Sequence, residues 1–122
     1  MEMVLVCLSP EAAYDLYQFF EAQFKGKHWE AYVIPVTDVA AVSTGVAAVV
    51  AHATDWPPEK LHEWLTLIRT TVGPRQRLLV ILSRPPDQCP AETQRLWTRA
   101  LGYGYKISEA IAIVDDFIAG RI

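Results

Sequence analysis

Two hydrophobic periods alternate along this chain. "MVLVCL" (3–8), "VAAVVAHA" (46–53) and "RLLVILS" (77–83) are short apolar runs rich in branched side chains, as expected of strands buried on both faces. "WEAYVIPV" (29–36) is also strand-like, and Pro35 near its end places it toward a sheet edge. Between the runs the spacing turns helical. Ala13, Leu16, Tyr17, Phe20 and Phe24 form one stripe; Leu61, Trp64, Leu65, Ile68 and Val72 form a second; Ile111, Val114, Phe117 and Ile118 form a third.

Local punctuation agrees with these elements. Ser9 can cap the first helix with Pro10 at its first position, and Gly26 ends it. Pro57-Pro58 leads into the second helix and Gly73-Pro74 closes it. Ser108 is placed to cap the last. Residues 37–45 suit one or two helical turns, with Thr37 or Asp38 as cap and Gly45 as stop. Pro90-Ala91-Glu92 opens a further helix with Leu96, Trp97, Ala100 and Leu101 on one side, and "GYGYKI" (102–107) then reads as a fifth strand.

Five repeats of strand then helix predict a five-stranded parallel sheet with helices on both faces, a three-layer (βα)5 sandwich. At 122 residues it is expected to be a single domain, 1–122. With 52% hydrophobic and 20% charged residues, an ordinary core needs no disulfide staples.

A net charge of −3 with scattered basic residues argues against nucleic-acid or anionic-membrane partners. The two cysteines and three histidines have no metal-ligand spacing. "MEMVLVCLSP" lacks a signal peptide's basic start, and no apolar run is long enough to span a bilayer. A soluble cytoplasmic protein with no cofactor is therefore the expectation.

In parallel α/β sheets, chemistry collects at the carboxyl ends of the strands. The first strand–helix turn, "CLSP", has none of the glycines that cradle a phosphate, which disfavours nucleotide binding. Cys7 and His52 could meet as nucleophile and base, although a cysteine in an apolar strand is more often inert core. Asp55 in "DWPPE" has the look of a helix-entrance residue, favoured there for capping and dipole reasons. Asp115 and Asp116 are adjacent on a helix, so they diverge and form no acid–base pair.

The segments "VLVCLSP", "AAVVAHATDWPPEKLHEWLTLIR", "RLLVILS" and "RALGYGYKIS" together resemble the CheY-like receiver domain of response regulators, which has a flavodoxin-like fold. The resemblance implies an acidic pair at the first strand end that holds Mg²⁺ and an aspartate after the third strand that accepts a phosphoryl group. It also implies a hydroxyl residue after the fourth strand and a lysine after the fifth. Here the acidic pair falls on Cys7 and Leu8, or on Leu8 and Ser9, and the acceptor on Ala53 or Thr54. Asp55 reaches that place only by a shift in register. The hydroxyl and lysine correspond to Ser83 and Lys106.

These residues outline a vestigial pocket in a pseudo-receiver, not an enzyme. The expected function is regulatory protein–protein interaction, with the partner unnamed and homodimerisation one form of it. In receivers the signalling surface would carry Trp97, Tyr103 and Tyr105, though Trp97 and one tyrosine equally suit packing between helix and sheet. Two alternatives stay open: a phosphoacceptor with an atypical site built on Asp55 and Lys106, and a small flavodoxin-like enzyme or ligand-binding protein.

Overall fold

The computed structural model describes residues 2–26, 29–42 and 45–121. Five strands form one parallel sheet: β1 (Glu2–Cys7), β2 (Glu30–Pro35), β3 (Ala48–His52), β4 (Leu78–Ile81) and β5 (Arg99–Leu101), in the order β2-β1-β3-β4-β5. β2 is an edge strand, as Pro35 predicts. The three central strands are buried almost end to end, which explains their unbroken apolar sequences.

Alternation along the strands builds two cores. Met3, Leu5, Cys7, Val50, Leu79 and Ile81 face α1 (Tyr14–Phe24) and the C-terminal helix. Val4, Val6, Val49, Ala51, Leu78 and Val80 face α2 (Leu61–Val72) on the other side. The single turn α3 (Ala91–Gln94) follows β4, and α4 (Ile107–Ile118) follows β5. The β2–β3 connection carries a 3₁₀ helix, Val36–Ala41, so the count of five (βα) units holds with the second helix replaced by a tighter form. Its cap is Pro35, not Thr37 or Asp38, and it ends before Gly45.

Two expectations fail together. The helix read through Leu96, Trp97, Ala100 and Leu101 stops at Gln94, and Ala100 and Leu101 lie in β5. "GYGYKI" is no strand. Gly102 to Lys106 form a turn in which Gly104 has φ +84°, a conformation costly for other residues. Backbone pairing decides the matter: Leu79, Val80 and Ile81 align with Arg99, Ala100 and Leu101, and Leu82 N–H donates to the Leu101 carbonyl at 2.8 Å.

Two caps also differ. Ser9 occupies the cap position before a 3₁₀ turn, Pro10–Ala13, but its side chain makes no capping bond. The residue before α4 is Lys106; its N–H is held by the Glu109 carboxylate at 3.1 Å, and Ser108 lies inside the first turn. Among the described residues no helix is long and apolar enough to cross a membrane.

Candidate functional site

The carboxyl ends of β1, β3 and β4 lie side by side, because β1 and β4 both pair with β3. Strand alternation then separates the candidate residues onto the two faces.

On the α1/α4 face, Cys7 is fully buried and its Sγ donates to the Ile34 carbonyl at 3.7 Å. Burial, reinforced by the charges of Asp55 and Glu11, pushes its thiol up from 9.0 to about 11. At neutral pH it is a thiol, not a thiolate, and therefore a poor nucleophile. His52 ends β3; its Nε2 lies 3.4 Å from Thr54 Oγ1, and its buried Nδ1 has no hydrogen-bond partner among the described residues. Burial lowers its pKa and the Asp55 charge partly opposes this. The hydrogen bonds of Cys7 and His52 go to Ile34 and Thr54, so the pair is not assembled as nucleophile and base.

Asp55 does not cap a helix. A 3₁₀ turn, Pro58–Lys60, precedes α2 and starts after Pro57, leaving Asp55 exposed. Its influence on the site is its charge, felt by Cys7 and His52. Of the other candidates, Leu8 is exposed at 41% and Ser9 is half-buried. Ala53 is buried, with its N–H bonded to the Ile81 carbonyl at 2.9 Å, and Thr54 is half-buried. Ser83 is exposed just beyond β4. Lys106 is exposed five residues beyond the end of β5, at the entrance to α4.

On the α2 face, Ala53, Trp56, Leu61 and Leu82 line a cleft of about 70 Å³ together with Ser83 and Arg84. Trp56 is buried and meets Trp64 edge-on, ring centroids 5.3 Å apart. Trp56 does not stand out in the reading of the strand ends. A tryptophan inside a polar, proline-rich loop was the available signal, since so large an apolar group must find a core to enter.

Magnesium, the ion implied by the receiver resemblance, prefers oxygen ligands in near-octahedral arrangement. The end of β1 offers a high-pKa thiol, a leucine and one hydroxyl. Among the described residues no three histidine, cysteine or acidic side chains are grouped to hold a metal. This donor set does not fit Mg²⁺.

Of the aromatic residues expected on a signalling surface, Trp97 packs against the α2-side core and Tyr105 against the α1/α4-side core. Both are half-buried. Tyr103, by contrast, is 86% exposed. With α3 only one turn long, Trp97 itself closes part of the α2-side sheet face.

No protein-family model matches the chain, and no curated protein matches it in sequence. Solved structures do match. The receiver domain of sensor histidine kinase PA1611 from Pseudomonas aeruginosa, with magnesium in its active-site cleft, superposes with a TM-score of 0.64 at 16% identity, covering 97% of each chain. The pilus assembly protein CpaE from Caulobacter crescentus gives 0.64 at 15% identity, over 93% of this chain and 89% of that one. An adenylate cyclase from Rhodopirellula baltica gives 0.66 at 13% identity, over 97% and 87%. What these proteins share with the chain is its fold: the five-stranded parallel, flavodoxin-like sandwich of CheY-like receiver domains.

Proposed function

We propose that the protein is a receiver-like regulatory module that acts through protein–protein contact and has no aspartyl-phosphate switch. The observation that carries this reading is the end of β1, where Cys7, Leu8 and Ser9 supply no carboxylate. Without a bound cation, the charge developing on a transferring phosphoryl group has nothing there to neutralise it. A fold of this kind hosts unrelated activities, so the reading rests on the site and not on the likeness. The exposed Tyr103, in the turn between β5 and α4, is the side chain best placed to meet a partner, a second copy of the chain included.

The test is an amide NMR titration with Mg²⁺ and beryllofluoride, a phosphoryl mimic. No Mg²⁺-dependent change is expected at His52 to Asp55, Ser83 and Lys106. Saturating shifts there that require Mg²⁺ would show a working phosphoacceptor pocket and overturn the reading. Sedimentation equilibrium of the wild type and Tyr103→Ser tests self-association through the turn, with weaker association expected in the variant.

A further inference from the structure

We propose that the cleft between the ends of β3 and β4 binds a small oxyanion group, phosphate or carboxylate, through Arg84. Three arginines of the described chain are half-buried: Arg69, Arg77 and Arg84. Arg69 is bonded to three backbone carbonyls, and Arg77 also has a partner. Arg84 alone among them has no hydrogen bond or ion pair within the described residues. Partial burial strips water from a guanidinium, and an unpartnered one gains most from an anion that accepts two parallel N–H bonds.

The surroundings favour that occupant. Ala53, Trp56 and Leu82 give the cleft apolar walls, and among the described residues Ser83 adds a hydroxyl without a partner and no carboxylate lines it. The charge of Asp55 falls on Cys7 and His52, which belong to the opposite side of the strand ends. A volume of about 70 Å³ admits a single phosphate or carboxylate group and excludes a nucleotide.

The loop that carries Arg84 is also held in place. A Cβ on Gly102 would come within 2.9 Å of the Arg84 carbonyl and of Pro86 Cδ, so the loops after β4 and β5 are in close contact. The backbone at Arg84 is thus packed against the loop after β5, which limits the backbone ordering that binding requires. This chemistry is the reverse of a Mg²⁺ site, offering donors where the metal needs acceptors. The inference goes beyond the regulatory reading and does not depend on it.

Titrating the ¹⁵N-labelled protein with sodium phosphate, and separately with sodium acetate, tests the site without any divalent cation. Sodium chloride at matched ionic strength serves as the control. Saturating shifts at the Trp56 indole, Ser83 and the Arg84 side chain are expected, and the tighter of the two anions identifies the natural group as phosphoryl or carboxylate. Arg84→Gln should weaken binding about ten-fold, with Arg84→Lys intermediate. Shifts that never saturate, that chloride reproduces, or that spread over the exposed Arg75, Arg95 and Arg99 would overturn the proposal. So would unchanged affinity in Arg84→Gln. If that variant does not fold, the Arg84→Lys affinity and the wild-type shift pattern decide.

Discussion

Arg69 donates to the Leu96 carbonyl twice, from Nε at 2.9 Å and from Nη2 at 2.6 Å. The same guanidinium donates through Nη1 to the carbonyls of Gly73 and Gln76, at 3.0 and 2.6 Å. One side chain near the end of α2 therefore holds the turn after α2 and the segment that leads into β5. His62 reinforces the link from the start of α2, with Nδ1 3.0 Å from Thr93 Oγ1. These cross-links secure a region where the chain has only one turn of helix.

Replacing Arg69 should loosen that region. Arg69→Met keeps much of the apolar stem but leaves three carbonyls without their charged donor, at a cost of about 2–4 kcal/mol. Arg69→Lys should recover only part, because an ammonium cannot reproduce the planar fork. Urea unfolding midpoints measure both. Hydrogen exchange in the variants should quicken first at Leu78 to Ile81 and in β5. Wild-type stability in Arg69→Met would mean that the bonds contribute nothing net.

Gly102→Ala should disturb the contact between the loops after β4 and β5. Its new methyl would lie 2.9 Å from backbone at Arg84 and from Pro86, which cannot swing away as a flexible side-chain end could. Overpacking of this kind costs about 1–3 kcal/mol. Thermal unfolding measures the loss, and amide shifts should centre on residues 84–86. The methyl is accommodated freely if neither changes.

Cys7 should resist alkylation at pH 8 while the protein is folded. Its thiol is raised to about 11, so the reactive thiolate is scarce, and the side chain is out of solvent's reach. The unfolded thiol ionises near 9.0, earlier than the folded one. Its contribution to stability is therefore complete below pH 9 and declines as pH rises from there through about 11. Mass spectrometry after timed iodoacetamide treatment, with and without urea, reads the protection. Equal rates in both conditions would contradict the buried placement.

His52 should make the fold sensitive to mild acid. Burial lowers its pKa below the ordinary 6.5, so the unfolded chain takes up this proton first. The stability it confers is complete above pH 6.5 and is lost as pH falls through the folded value. Protonation would also place a donor on the buried, unpartnered Nδ1. Urea midpoints between pH 7.5 and 5 should fall more steeply in the wild type than in His52→Gln, and imidazole NMR gives the folded pKa directly. Parallel pH profiles would remove His52 as the cause.

The sequence by itself determined the parallel sheet, its two helical layers and the edge position of β2. Short apolar runs such as "VLVC" and "LLVI", rich in branched side chains and bounded by turn residues, suit strands buried on both faces, and the stripes of α1, α2 and α4 are long enough to establish a helical period. It also located the candidate strand ends and the absence of acids beside Cys7. Tertiary structure alone decided the stretch from Leu96 to Lys106. Leu96, Trp97, Ala100 and Leu101 fit a helical stripe, and three of the same residues fit a strand and its approach. So short a segment takes its conformation from its neighbours: the open ladder edge of β4 pairs with Arg99 to Leu101, and Arg69 anchors Leu96. The site followed the same rule. Side-chain types at strand ends can be read from sequence, but which of them share a face, which are buried and which lack a partner depend on packing between distant segments. That is why Asp55 acts on Cys7 and His52 as a charge and why Arg84, just beyond the end of β4, lines the cleft without a partner among the described residues.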